Sequence, residues 1–80
     1  MMNEEIFNRV TGIISGTLNK KNLVLGYETS SKDVEGWDSL AHVTIITEVE
    51  KEFGITIDFM EILEIKTIGD ICQAVVNNQK

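Results

Sequence analysis

Three neighbouring residues, Asp38, Ser39 and His42, are of the types that carry acid–base and nucleophilic chemistry. An aspartate, a serine and a histidine can form a hydrolytic site in which the imidazole activates the serine hydroxyl. Ser39 and His42 also have suitable spacing, since side chains three residues apart on a helix can touch. The sequence indicates no oxyanion hole or substrate cleft to complete such a site. We therefore predict no hydrolase, and a packed, hydrogen-bonded role for His42.

Acidic residues and one cysteine raise the question of a metal site. Asp33, Glu35 and Asp38 lie in one loop, but an EF-hand loop needs Gly at its sixth position and Glu at its twelfth. Counted from Asp33, those positions hold Asp38 and Thr44, so we predict no metal site of this kind. Cys72 is the only cysteine, which excludes an intramolecular disulfide and a cysteine-based zinc cluster. It falls on an apolar helix face, where we expect an unreactive core thiol.

Ser39 fits a different kind of chemistry. It begins a predicted helix, and the N-terminus of a helix favours a negatively charged group through its N–H groups and dipole. Leu40 points away from the apolar side of that helix, so we expect a large apolar side chain exposed beside an exposed hydroxyl. Ser39 is therefore a reasonable attachment point for a phosphodiester. The simpler alternative is that Asp38 and Ser39 do no more than cap the helix.

Hydrophobic periodicity predicts three longer helices and a short one, joined in a small all-α bundle formed by one domain, residues 1–80. The first helix covers residues 4–18, with Asn3 as N-cap, and we expect a loop to approach its Gly12 and Gly16. The second covers residues 39–53, a short one begins with a capping box at Asp58 and ends near residue 63, and the last covers residues 67–77. Residues 19–37 form a long first connection. The predicted buried faces comprise Ile6, Val10, Ile13 and Ile14; His42, Val43, Ile45, Ile46, Val49 and Phe53; and Ile68, Ile71, Cys72, Val75 and Val76.

Charge narrows the classes of partner. The 80 residues carry seven basic and thirteen acidic side chains, a net charge of −6. Residues 28–70 hold eleven of the acids and three lysines, so the middle of the chain is the acidic part. This distribution argues against nucleic acid or an anionic membrane and favours a basic partner surface. No apolar run is long enough to span a bilayer, so we expect a cytoplasmic protein. We also expect it to be a monomer.

Residues 36–40, Gly-Trp-Asp-Ser-Leu, resemble the phosphopantetheine attachment motif of acyl carrier proteins, which has a short Asp-Ser-Leu core. The segment from Val43 through Ile57 resembles the second helix of that family and its exit. Residues 67–71, Thr-Ile-Gly-Asp-Ile, resemble the start of its last helix. The similarity extends over about residues 33–76, and the amphipathic first helix is consistent with it.

The resemblance implies a function. Ser39 would receive 4′-phosphopantetheine from coenzyme A through a separate, Mg²⁺-dependent transferase, and Asp38 would help to position the site. The thiol of the arm would carry an acyl or aminoacyl group as a thioester, loaded by a ligase or synthase, and the carrier would do no catalysis. Ile46, Val49 and Ile71 could line a space for the acyl chain. The candidate partner-binding residues are Trp37, Leu40, Val43, Thr44 and Thr47.

Two departures distinguish this chain from typical fatty-acid carriers. Those carriers have a small residue at the position of Trp37. Their second helix is also richer in acidic residues, whereas the second helix of this chain has Thr44, Thr47 and Lys51 on its outward side. The motif looks more like that of carriers in specialised pathways: aminoacyl, polyketide, or glycan and lipid modification. Trp37 has two interpretations, a packing anchor for the long loop or a partner contact. The alternative function is an acidic interaction module with the carrier fold and no prosthetic group.

Overall fold

A computed structural model of the chain describes residues 4–20 and 23–79. Four helices follow one another: α1 (Glu4–Leu18), α2 (Ser39–Phe53), α3 (Phe59–Glu64) and α4 (Ile68–Asn78). One turn of 3₁₀ helix, Ser31–Asp33, interrupts the connection between α1 and α2. The predicted all-α bundle of three longer helices and a short one is confirmed. The proposed N-cap Asn3 lies outside the described residues.

The core lies where α1, α2 and α4 pack against one another. Val43 and Val76, which the sequence assigned to buried faces, are instead 58% and 38% exposed. At 100° per residue Val43 lies about 60° beyond Ile46 around α2, which is outside the arc that α1 and α4 cover. The helical side chains that are buried are Ile6, Val10 and Ile14 from α1, Ile45, Ile46 and Val49 from α2, and Ile68, Ile71, Cys72, Ala74 and Val75 from α4.

The ends of α2 are fixed by local backbone chemistry. Asp38 is its N-cap, and the Asp38 carboxylate accepts a hydrogen bond from the Ala41 N–H at 2.8 Å. Gly54 ends the helix with φ 64°, a left-handed conformation that glycine adopts without steric cost. Beyond it, the Ile57 N–H donates to the Glu50 carboxylate at 2.8 Å. The Asp38 bond thus fixes where the helix starts, and therefore where Ser39 lies, while Gly54 and the Ile57–Glu50 bond fix its other end.

The long connection packs on the helices through part of its length. Val34 and Trp37 are buried, and the ring of Tyr27 lies 4.4 Å from that of Phe7 in α1, centroid to centroid. Leu23 and Leu25 are partly buried and also pack against the core, whereas Val24 between them is 97% exposed. The connection is therefore anchored at several side chains between residues 23 and 37 and not along its whole apolar stretch.

The same connection also covers the start of α4. The N–H groups of Ile68 and Gly69 donate to the carbonyl oxygens of Thr29 and Tyr27 at 2.9 and 2.8 Å. The first N–H groups of a helix have no partner within it, so the loop supplies acceptors for two of them. A Cβ atom on Gly69 would lie 2.9 Å from the Tyr27 carbonyl oxygen, which explains why this position holds glycine.

Two sequence predictions about helix details are wrong. A Cβ atom added to Gly12 or Gly16 would have no atom of the described residues within 4 Å, so no described part of a loop approaches these glycines. Asp58 is the N-cap of α3, but its side chain makes no capping bond, and the Glu61 carboxylate accepts a hydrogen bond from Asn78 of α4, so the predicted capping box does not form. Within the described ranges, no helix combines the length and the apolar character that a membrane crossing needs.

Candidate functional site

Ser39 is the first residue of α2 and its side chain is exposed. Asp38 has extended backbone angles and uses its carboxylate to cap the helix, while its carbonyl oxygen accepts from the His42 N–H at 2.9 Å. Within residues 4–20 and 23–79, the structure shows no hydrogen bond to the Ser39 hydroxyl. The cap is therefore supplied by Asp38, and the Ser39 hydroxyl is left accessible for another reaction.

His42 is directed towards Trp37 rather than Ser39. The Trp37 Nε1–H donates to His42 Nδ1 at 3.3 Å, and the two rings are stacked with an interplanar angle of 27°. Burial lowers the pKa of the His42 imidazole, and a hydrogen bond to the backbone of Ile62 partly offsets this effect. The predicted hydrogen-bonded histidine is thus present, and the structure does not bring it to Ser39 as a general base.

Trp37 is 5% exposed and belongs to the core. Of the two interpretations of Trp37, this burial supports the packing anchor and gives no support to a partner contact, because the ring is covered by the chain itself. Its position two residues before Ser39 gives it a structural task instead. It holds the end of the long connection in place directly ahead of the exposed serine.

The outward side of α2 is uncharged near Ser39. Leu40 is 76% exposed and Val43 is 58% exposed. Thr44 and Thr47 are exposed too, but their hydroxyls donate to the Leu40 and Val43 carbonyl oxygens at 3.1 and 2.9 Å. Because these hydroxyls are bonded within the helix, the two threonines add methyl groups to the surface. The four residues form an apolar strip along α2.

Comparison with known proteins places this geometry in a family. The phosphopantetheine attachment site family matches residues 8–75. The chain is 38% identical over 68 residues to an acyl carrier protein of Thermotoga maritima, covering 85% of this chain and 84% of that protein. It is 32% identical over 71 residues to an acyl carrier protein of Exiguobacterium sibiricum, covering 89% and 90% respectively.

Solved structures agree with the sequence comparison. A holo acyl carrier protein from Geobacter metallireducens superposes with a TM-score of 0.82 at 29% identity, over 90% of this chain and 83% of that one. A putative acyl carrier protein from Mycobacterium tuberculosis also gives 0.82, at 30% identity, over 90% and 96%. The chain belongs to the acyl carrier protein family. Its prosthetic group is phosphopantetheine.

The residues present fit this group. An acyl carrier protein needs a hydroxyl that forms a phosphodiester. The motif that resembles the attachment site places Ser39 at the N-terminus of α2, where its exposed hydroxyl has no hydrogen bond to a described residue. The positive end of the α2 dipole favours the negative charge of a phosphodiester there.

The acidic residues near Ser39 do not form a cluster that could hold a metal ion. The Asp33 carboxylate accepts from the Ser30 N–H, Glu35 faces Lys20 at 4.0 Å, and Asp38 caps α2. No group of three potential metal ligands occurs among the described residues.

The side chains suggested as a lining for the acyl chain lie deep in the carrier. Ile46, Val49 and Ile71 are 2%, 0% and 0% exposed and pack within the core. An acyl chain could contact them only if the helices moved apart. Cys72 is also fully buried, and burial raises the pKa of its thiol to about 11, which suits an inert core residue.

Proposed function

We propose that Ser39 is the attachment residue and that the chain carries an acyl or aminoacyl group for partner enzymes of a biosynthetic pathway. The observation that carries this proposal is the exposed, unbonded Ser39 hydroxyl at the first position of α2, beside an aspartate that already caps the helix. When bound, phosphopantetheine supplies a thiol that holds the acyl group as a thioester.

The chain itself has a presenting role. Asp38 fixes the start of α2, so the Ser39 hydroxyl meets the transferase in one orientation. The helix N-terminus then stabilises the phosphodiester charge on the modified serine. Chemistry on the cargo belongs to the transferase, ligase or synthase partners, and the carrier is not an enzyme under this proposal. A single carrier domain in residues 1–80, its monomeric state and its cytoplasmic location remain predictions.

The apolar strip of Leu40, Val43, Thr44 and Thr47 is the partner-binding face in this proposal. It begins next to Ser39, so an enzyme that reaches the arm also meets these side chains. Its exposed side chains are aliphatic or present methyl groups, which favours an apolar counterpart on the partner. The surrounding acidic residues would steer a basic partner towards it.

The same strip supports a proposal about the class of pathway. Partners of typical fatty-acid carriers would select an acidic second helix. A strip without acidic side chains gives such a partner fewer charged groups to bind. We therefore propose a specialised pathway rather than general fatty acid synthesis. Loading by a fatty-acid malonyl transferase should be slower than for a typical fatty-acid carrier from the same host, and equal rates would contradict the specialised role.

The attachment is tested by intact-protein mass spectrometry. The chain is incubated with coenzyme A, Mg²⁺ and a broad-specificity phosphopantetheinyl transferase, beside the Ser39→Ala variant and a Ser15→Ala control in α1. We expect a gain of one phosphopantetheine in the parent and in Ser15→Ala, and none in Ser39→Ala. A folded parent that gains no mass with several transferases would favour the interaction module.

A further inference from the structure

His42 joins two segments of the molecule around the attachment site. It belongs to α2, one turn after Ser39. Its Nδ1 atom accepts the Trp37 indole N–H at 3.3 Å, which ties α2 to the end of the long connection. The two rings are also stacked, with an interplanar angle of 27°. One half-buried imidazole thus links the segment before Ser39 with the helix that carries it.

The bond to Trp37 defines the protonation state that it needs. An indole N–H can only donate, so Nδ1 must be unprotonated to accept from Trp37. The neutral ring then carries its proton on Nε2. The doubly protonated ring has no acceptor left for the indole N–H, so it loses the bond. Burial lowers the pKa of His42, so the neutral form with the Trp37 bond prevails near neutral pH.

We propose that His42 is a positioning residue for modification of the carrier: as a neutral imidazole bonded to Trp37, it holds the backbone ahead of Ser39 in the arrangement that the transferase binds. This inference rests on the proposed attachment at Ser39 and adds a residue that does not touch the reacting atoms. Without the bond, the Trp37 indole loses its partner in a partly buried site. The transferase would then bind only the fraction of molecules with the segment in place, which raises the apparent KM for the carrier and leaves kcat nearly unchanged.

The charged groups close to His42 along the chain are already engaged. On the segment before α2, the Asp38 carboxylate is bonded to the Ala41 N–H. On α3, the Glu61 carboxylate accepts from Asn78. Within one turn of His42, α2 has no ionisable side chain. The His42–Trp37 bond should therefore respond to the protonation of His42 itself.

Transfer kinetics test the proposal with four variants. His42→Leu removes the acceptor of the bond, Trp37→Phe removes the donor and keeps a ring, and the double variant combines these changes. His42→Asn retains an acceptor near the Nδ1 position and cannot be protonated. At about pH 7.5, His42→Leu and Trp37→Phe should each raise the KM for the carrier about threefold to tenfold, the factor expected for loss of one hydrogen bond. The double variant should be no worse than the poorer single one, and His42→Asn should stay near the parent.

The pH dependence of the KM for the carrier provides a readout that a purely structural role of His42 would not change. As the pH is lowered from about 7.5, the KM of the parent should rise once His42 becomes protonated, at a pH below the ordinary histidine pKa, and His42→Asn measured over the same pH series should not show this rise. A normally modified parent with unchanged KM in His42→Leu and Trp37→Phe would overturn this inference alone. A parent that is not modified at any pH would overturn the proposed attachment as well.

A measurement on the parent alone covers the case in which variants fail to fold. Trp37 is the only tryptophan and His42 the only histidine, so each gives a single assigned signal in NMR spectra. The indole N–H resonance and the imidazole resonances should shift together through one titration with a midpoint below 6.5. An indole signal that does not follow the histidine titration would contradict the proposed bond.

Discussion

Asp38 and Ser39 are adjacent, yet the structure gives them separate tasks. The Asp38 carboxylate bonds the Ala41 N–H and caps α2, whereas the Ser39 hydroxyl is exposed and unbonded in the described structure. Asp38→Ala should therefore lower the free energy of unfolding by about 0.5–2 kcal/mol, as loss of an N-cap does. Ser39→Ala should change it by less than about 0.5 kcal/mol while abolishing modification.

Urea unfolding followed by circular dichroism measures both effects, with intact mass as the readout of modification. The two variants serve as controls for each other, since each removes one polar side chain from the same turn. If Ser39→Ala were as destabilising as Asp38→Ala, the serine would share the capping role and its exposure would not indicate a free hydroxyl.

The buried thiol of Cys72 should make the free energy of unfolding depend on pH under alkaline conditions. Burial raises its pKa from the ordinary value of 9.0 to about 11 in the folded chain. The unfolded chain therefore loses this proton at lower pH than the folded chain, so the contribution is fully present below pH 9.0 and is lost as pH rises towards 11. We expect about 2 kcal/mol to be lost from this group by about pH 10.5.

Comparison with Cys72→Ala isolates the contribution of this thiol from every other effect of alkaline pH. The variant should be less stable at neutral pH because it leaves a cavity, and it should lose less stability on going to about pH 10.5. Parallel losses in parent and variant would mean that the thiol ionises as readily in the folded state as in the unfolded state.

The reactivity of Cys72 provides a second measurement of its burial. In the folded parent, Cys72 should react with iodoacetamide only at the rate at which the core opens.

The candidate site was partly predictable from single residues. An exposed Leu40 and an available Ser39 followed from the helical period and from the motif. The burial of Trp37 did not follow, since a tryptophan at a loop–helix junction can face the core or solvent, and the packing of distant segments decides between them. The same holds for His42, whose contact with Ile62 joins residues about twenty apart in the sequence.

At the scale of helices and loops, the glycines of α1 and α4 have opposite roles. A Cβ atom on Gly69 would lie 2.9 Å from the Tyr27 carbonyl oxygen, whereas one on Gly16 meets nothing within 4 Å. Gly69→Ala should therefore cost about 1–3 kcal/mol, because backbone must move to accommodate the methyl group. Gly16→Ala should stabilise the chain by up to about 1 kcal/mol, because alanine is the better helix former.

Thermal unfolding of the two alanine variants tests this contrast, and Gly12→Ala gives a second example of the open environment. A Gly69→Ala variant as stable as the parent would show that the loop is not held against α4. Destabilisation by Gly16→Ala would indicate that something covers this side of α1.

Helix positions were more predictable than helix surroundings. The limits of α1 and α2 agree with the sequence prediction, and those of α3 and α4 agree to within one residue, because periodicity and capping residues are local signals. The approach of a loop to Gly69 rather than to Gly12 or Gly16 is a tertiary contact. The sequence shows three glycines in helices and gives no indication of which one a distant carbonyl group meets.

At the scale of the whole molecule, the net charge of −6 should affect encounter with partners more than stability. Glu28 and Glu35 are exposed on the connection that leads to Ser39, and the Glu35 side chain is 96% exposed. Transfer to Ser39 should slow as salt is added, because ions screen attraction to a basic transferase over a Debye length of about 8 Å at physiological ionic strength.

Initial rates of transfer across a salt series measure this effect. A variant with Glu28→Gln and Glu35→Gln should be slower at low salt and less sensitive to added salt. The control is Glu4→Gln, which removes one charge from the start of α1 and should retain the salt dependence. Rates that are independent of salt in the parent would exclude long-range steering.

The contact between the long connection and α4 also provides a natural reporter of local opening. Amide protons at the start of a helix usually exchange with solvent quickly, since they have no partner within the helix. Those of Ile68 and Gly69 are instead bonded to the carbonyl oxygens of Thr29 and Tyr27. Their hydrogen–deuterium exchange should be slow, and its rate would record how often the segment that leads to the attachment serine detaches from the bundle.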